Sequence, residues 1–117
     1  MKKNPNPTEL DPGINQKIIT VLQFAKKAGK LISGSDAVQR FARSGKVKLI
    51  ILTTDLAFQS RRKIFFLNQN LNIPLVTWGT KNDTMQFSPK EAGIIAITDQ
   101  NFANGVLKYL SYNEVEE

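Results

Sequence analysis

AKKAGKLISGSDAVQRFARSGKVKLIILTTD, residues 25–55, decides the fold, because within it the chain passes from helix to strand to helix to strand with glycine at the junctions. Ala28-Gly29-Lys30 ends one helical pattern, Gly34-Ser35-Asp36 opens the next, and Ser44-Gly45-Lys46 closes it. Glycine belongs where backbone must turn sharply or be approached closely. Between these junctions Leu31-Ile32-Ser33 reads as a short strand, and Ala37, Val38, Phe41 and Ala42 recur at the spacing of one inward helix face. Leu49-Ile50-Ile51-Leu52-Thr53 is apolar without alternation, the pattern of a strand buried on both faces.

Working outward, Asp11-Pro12 has the form of a helix cap followed by proline in the first turn, and Ile14, Ile18, Val21, Leu22, Ala25 and Ala28 then share one helical stripe. Beyond residue 55 a third helix is expected from about Leu56 to Leu71, with Arg61, Arg62 and Lys63 outside and Ile64, Phe65 and Leu67 largely inside. Pro74 to Trp78 reads as a strand, residues 79–93 are polar and take no clear assignment, and Ile94 to Thr98 is another doubly buried strand. Asp99 then caps a last helix with Phe102, Val106, Leu107 and Leu110 on its inner stripe. Helices between successive strands imply crossover connections and a sheet covered on both faces. The expected class is α/β, a three-layer α/β/α sandwich on a small mixed four-stranded sheet. Residues 14–112 form its one domain, between an N-terminal tail (1–13) and an acidic C-terminal tail (113–117).

Composition excludes whole classes of chemistry. The chain of 117 residues has no cysteine and no histidine, which removes disulfides, thiolate nucleophiles, imidazole bases and nearly every familiar zinc site. No apolar run approaches membrane-spanning length, and the expectation is a soluble, cytoplasmic protein. The net charge of +6 is concentrated: residues 17–63 hold eleven Lys and Arg against Asp36 and Asp55, a local +9, while residues 64–117 hold three cations against six carboxylates. Such asymmetry attracts polyanions, with nucleic acid the leading partner class, an anionic membrane surface second, and a merely solvated basic face the bland alternative.

The helix that begins after Gly34 presents its positive end and free N–H groups to solvent, as an anion site does and as any capped surface helix also does. The two Gly-Lys pairs, Gly29-Lys30 and Gly45-Lys46, are not phosphate-binding P-loops, because Phe24 and Arg40 stand where the earlier glycine is required. Glycine and lysine at a helix C-terminus are each favourable there on their own account. Lys30, four residues before Gly34, is expected to bring its charge toward the rim of the second helix. Asp55 and Asp99 each follow a strand, where α/β active sites often lie, but both stand where a helix cap is expected.

The order of these elements, with AKKAGKLISG, then Val38 and Arg40, then RSGKVKLIILTTD and finally AITDQNFANGVL, resembles the ribosomal protein L-seven-Ae / L-thirty-e family, most closely its small bacterial YlxQ-type members, from about Lys17 to Leu110. The resemblance implies an α/β/α sandwich that binds structured RNA, typically a kink-turn, which is a bent duplex with a bulge flanked by sheared G·A pairs. It implies no catalysis, no metal, no organic cofactor and no small-molecule substrate. The family's RNA-binding glycine matches Gly34, its next small or polar residue matches Ser35, and its helix lysine is replaced by Arg40. Its asparagine position holds Asp36 and its glutamate position Ala37. In the family those two residues read the sheared G·A edges; Asp36 retains an acceptor for a guanine amino group, and Ala37 does not. The acidic residue often found before the second-strand aspartate is Thr54, with Asp55 retained. The loop that covers the bulged nucleotide corresponds to about Thr80 to Pro89, where Thr84-Met85 replaces the usual Leu-Gly pair. Met85 or Phe87 can cover a base there, although Phe87 fits a satellite core position equally well.

The resulting division of labour gives Lys30, Arg40, Arg43, Lys46 and Lys81 to phosphates on either side of a bend and Gly34 to Asp36 to base edges, with Thr84 and Met85 at the bulge. Arg61, Arg62 and Lys63 form either a separate patch or a solvated helix face. The expected partner is structured RNA, ribosomal or another noncoding species, with the ribosome itself a further candidate. Three alternatives stand beside it. One is the substrate-recognition role that a similar architecture plays in ribose methyltransferases, for whose catalytic domain this chain has no room. Another is a protein-interaction module that has lost kink-turn specificity, and the last is an enzyme using Asp55, Asp99 or a lysine.

Overall fold

Asp11 starts the first helix as its carboxylate accepts hydrogen bonds from Gly13 N (3.1 Å) and Ile14 N (3.4 Å), with Pro12 supplying a preset φ and no surplus donor. The computed structural model describes residues 11–88 and 91–110. Residues 1–10 of the expected N-terminal tail, the acidic tail 113–117, and Pro89 at the end of the expected bulge-covering loop lie outside the described residues. Pro12 and Gly13, expected in the tail, belong to the helix, because proline at its first position needs no hydrogen-bond acceptor.

The elements run α1 (Pro12–Lys27), β1 (Leu31–Ser33), α2 (Ser35–Arg43), β2 (Leu49–Leu52), α3 (Phe58–Asn68), β3 (Leu75–Thr77), α4 (Lys81–Thr84), β4 (Ile94–Ile97) and α5 (Gln100–Leu110). The strands lie in the order β1-β4-β2-β3. β4 is antiparallel to both β1 and β2, with Ala96 opposite Ile32 and Ile50, and β2 is parallel to β3, with Ile51 opposite Val76. The sheet is therefore mixed, as expected.

Alternation along β2 and β4 divides the core in two. Leu49, Ile51, Ile95 and Ile97 pack with Ile18 and Leu22 of α1 and Val106 and Leu110 of α5. Ile50, Leu52, Ile94 and Ala96 face the other way, onto Val38 and Ala42 of α2 and Ile64 of α3. All eight residues of the two strands are buried, which explains why neither reads as alternating. Each large aliphatic chain so buried contributes about 1.5–3 kcal/mol. This arrangement is the α/β/α sandwich. No helix among the described residues is long and apolar enough to cross a membrane.

Trp78, the only tryptophan, is fully buried, and its indole N–H donates to Asn15 Oδ1 at 2.8 Å. Phe87 is also buried, its ring centroid 6.3 Å from that of Trp78; it is a core residue and cannot cover a base. The third helix departs from expectation. Its inner residue is Ile64, whereas Phe65 is exposed together with Phe58 and Phe66. Arg61, expected outside, is half-buried, and its guanidinium donates to the carbonyl of Thr53 at 3.1 Å.

Candidate nucleic-acid interface

Gly34 joins β1 to α2 with φ 96° and ψ 145°, a region that is almost exclusively glycine's because a Cβ strains the backbone there. Its N–H donates to Ile94 O at 2.9 Å, holding the junction to the start of β4, and its carbonyl accepts from Val38 N at 3.0 Å. No side chain caps α2, so its leading N–H groups are left for solvent or a ligand. The space in front is open, since a Cβ on Gly34 would meet nothing within 4 Å. Asp36 is exposed in the first turn, where a carboxylate is favoured by the helix dipole.

A cleft of about 410 Å³ lies beside this junction. Ser33, Gly34 and Ser35 form one wall, Leu56 and Ser60 another, and Lys81, Ser88 and Glu91 to Ile94 the rest. Gly93 allows the close approach of the walls: a Cβ there would stand 2.7 Å from Leu56 Cδ1 and 3.2 Å from Lys81 Cε.

Lys81 is positioned by two caps at the start of α4. Thr80 and Asp83 form a reciprocal capping box, with Thr80 N donating to the Asp83 carboxylate at 2.8 Å and Asp83 N to Thr80 Oγ1 at 3.3 Å. Asp55 accepts from Lys81 N at 3.0 and 3.3 Å. Asp55 was expected to cap its own helix, but Leu56 and Ala57 intervene and α3 has no side-chain cap; its carboxylate reaches α4 instead. Asp99 does cap its own helix, accepting from Asn101 N and Phe102 N.

The ten residues expected to contact RNA fall into distinct groups. Gly34, Ser35 and Lys81 line the cleft, with Asp36 on the first turn at its edge. Arg40 and Arg43 follow along the exposed side of α2, and Lys46 lies just past its end. Gln39 Nε2 donates to Ser35 Oγ at 2.8 Å and Arg43 Nη2 to Gln39 Oε1 at 3.4 Å, a ladder with i,i+4 spacing. The Arg40 guanidinium and the Lys46 ammonium lie 6.0 and 5.9 Å from the centre of the same Phe41 ring. Gln39 and Phe41 thus support the cations; the i,i+4 spacing of Gln39 and Arg43 signals the first contact, whereas nothing in the helical spacing signals the second, since Phe41 adjoins Arg40 and Lys46 lies past the helix end.

Two expected members stand apart. Lys30 lies at the opposite end of β1 from Gly34, where its carbonyl accepts from Thr98; the strand, at about 3.3 Å per residue, carries the chain away from that charge rather than carrying the charge to the helix rim. Thr84 is fully buried. Its hydroxyl lies 2.8 Å from Lys81 O and 2.9 Å from Ala92 O as a donor and accepts from Ala92 N at 3.1 Å, so it ties α4 to the strand that follows and is unavailable to a ligand. Met85 beside it is half exposed and can offer apolar contact. The sequence reading missed Gly93, Ser60 and Leu56, whose contribution to the cleft comes from chain crossings that no local spacing records.

The cleft's lining combines backbone and hydroxyl groups with one cation, Lys81, and one carboxylate, Glu91. Among the described residues, no cluster of three Asp, Glu, His or Cys could hold a metal ion.

Residues 16–105 match the model of the ribosomal protein L7Ae/L30e/S12e/Gadd45 family. The RNA-binding protein YlxQ of Bacillus subtilis (strain 168) is 30% identical over 91 residues, covering 77% of this chain and 91% of that protein. The RNA-binding protein YlxQ of Enterococcus faecium is 23% identical over 94 residues, covering 80% and 91%. Among solved structures, a protein of unknown function from Bacillus halodurans superposes with a TM-score of 0.76 at 22% identity, covering 81% of this chain and 97% of that one. The Giardia lamblia 15.5kD RNA binding protein gives 0.70 at 14% identity, covering 93% and 95%. At these identities the two structures establish the shared fold.

Proposed function

The chain belongs to the ribosomal protein L7Ae/L30e/S12e/Gadd45 family, and on that premise we propose that it is a non-enzymatic, cytoplasmic RNA-binding protein that acts on or near the ribosome and recognises a kink-turn or a similarly bent RNA. The observation that carries this reading is the glycine-opened, uncapped start of α2 beside a cleft holding Lys81, with Arg40 and Arg43 further along the same helix. A bent duplex brings phosphates from two directions toward one point. Arg40 and Arg43 meet one flank, Lys81 meets the other, and the start of α2 reads the base edges between them. The phosphate contacts position the RNA and the base contacts specify it. Asp36 accepts a hydrogen bond from a guanine amino group, while Ala37 offers no second acceptor. Met85 covers the bulged base by apolar contact. The small curated relatives named as RNA-binding proteins support the partner class.

The test is a titration against a standard kink-turn and a straight duplex of equal length, each at low and moderate salt. Tighter binding of the kinked RNA that survives added salt is the expected result. Equal binding of both, falling steeply with salt, would leave only a basic face at work and overturn the specific reading. No RNA binding at either salt would leave the same surface to a protein partner.

A further inference from the structure

The outer face of α3 carries an aromatic and cationic stripe that the proposed site does not use. Phe58, Arg62, Phe65 and Phe66 recur at i, i+4, i+7 and i+8, so they share one side of the helix over about 12 Å. Phe58 is 71%, Phe65 46% and Phe66 74% exposed, unusual for three large rings on one short helix. Arg62 lies 5.8 Å from the centre of the Phe58 ring. Arg61 lies 5.9 Å from that of Phe65, but its guanidinium is also held by the Thr53 carbonyl. Residues 56–73 contain Arg61, Arg62 and Lys63 and no carboxylate.

We propose that this stripe, Phe58, Arg62, Phe65 and Phe66, with Lys63 at its margin, is a second docking surface for a single-stranded RNA segment that flanks the bent element. The proposal rests on the RNA-binding reading above and extends its footprint from the cleft onto α3. Ring faces beside cations match the alternation of base and phosphate along a single strand, each base finding a stacking surface and each phosphate a charge. Continuity runs over the N-terminal end of α3: Leu56 lines the cleft and Phe58, two residues on, opens the helix, so a strand that leaves the cleft past Leu56 meets Phe58 first, whereas Ser60, which also lines the cleft, lies on the opposite side of the helix from the stripe. A second copy of this chain fits poorly, because a two-fold contact centred on the stripe would bring the Arg62 guanidinium, at its midpoint, against that of the other copy.

The experiment compares three RNAs: a blunt kink-turn, the same kink-turn with single-stranded extensions at both ends, and a free ten-nucleotide oligouridylate. Each is titrated with wild-type protein, with the Phe58→Ala/Phe66→Ala double variant and with Arg62→Gln; the altered side chains are exposed, and equal thermal midpoints check folding. The expected result is that the extensions tighten wild-type binding at least about fivefold, the factor for a single stacked base. The double variant loses that gain and keeps its affinity for the blunt RNA, and Arg62→Gln loses part of the gain. Absence of any gain in the wild type, or its survival in the double variant, would overturn the proposal. Should the blunt kink-turn not bind, the bent-RNA reading fails by itself and the oligouridylate decides: binding abolished by the double substitution supports the stripe, and no binding overturns it. Adsorption to phosphatidylserine vesicles that the double substitution abolishes, with RNA affinities unchanged, would assign the surface to a membrane instead.

Discussion

Replacing Gly34 with alanine separates backbone strain from steric conflict. An added Cβ would meet nothing within 4 Å, so the substitution creates no clash, yet φ 96° and ψ 145° are a conformation that alanine avoids. Holding a non-glycine residue there costs about 1–3 kcal/mol. The junction cannot easily relax, because Gly34 N is bonded to Ile94 O and Gly34 O to Val38 N, and a change in φ breaks one or both. For a domain of this size the loss corresponds to a fall of roughly 4–12 °C in Tm, measured by far-ultraviolet circular dichroism. Gly93→Ala is the opposite case and the control. Its Cβ would stand 2.7 Å from Leu56 Cδ1, but the ends of the Leu56 and Lys81 side chains can swing aside, so the expected change is no more than about 1 kcal/mol. If Gly34→Ala melts with the wild type while Gly93→Ala is the damaged protein, clash rather than strain governs these junctions and the account of the β1–α2 turn is wrong.

Arg40→Ala should weaken kink-turn binding about tenfold and Lys46→Ala only twofold to threefold, because a guanidinium contacts phosphate or a guanine edge through two parallel bonds; equal losses in a filter-binding titration would remove any special role for Arg40. Thr84→Val should lower unfolding stability by about 2 kcal/mol in urea, since it strands the buried N–H and carbonyl of Ala92 without offering new contacts. Asn15→Ala should cost about 1–2 kcal/mol by orphaning the Trp78 indole N–H, with the emission of that single tryptophan serving as the unfolding signal. Asp36→Ala should abolish the preference for kinked over straight RNA if its carboxylate reads a base edge; a uniform rise in affinity for both would show that it only opposes phosphate.

Order and type of the main elements were legible because their determinants are local. Asp11-Pro12, Gly29, Gly34, Gly45 and Asp99 each mark a boundary by a conformational or capping requirement, and the unalternating runs of β2 and β4 declare strands covered twice. α4 was not legible by periodicity, since Lys81–Thr84 makes a single turn; its one local signal is the Thr80 to Asp83 capping box, which satisfies two orphan donors. The faces of α3 were misread for a related reason. Apolar residues stand on both sides of that helix, three phenylalanines on one and Ile64 and Leu67 on the other, so no single apolar stripe identifies the inner face. The position of Lys30 follows from β1 itself, whose three residues separate it from Gly34, whereas the burial of Thr84 depends on its contact with Ala92, eight residues on, which no local spacing records.

The charge arrangement explains why the expected cation set had to be divided. At the start of α2 the partial positive charge of the helix and the carboxylate of Asp36 act within the same turn. The helix end, equivalent to about half an elementary charge, offsets part of the carboxylate's field at long range and leaves the sum negative, while each still directs a hydrogen bond at short range. Such a centre has little power to attract phosphate but can discriminate among base edges. In the proposed complex attraction falls instead to Arg40, one turn along the helix from Asp36, to Arg43 nearly a turn further on, and to Lys81 across the cleft. In the proposed complex the salt dependence therefore comes from the rim and the preference for shape from the centre. With three rim cations on phosphates, the slope of log affinity against log salt is about −2 to −3, and loss of Asp36 alters specificity without altering that slope.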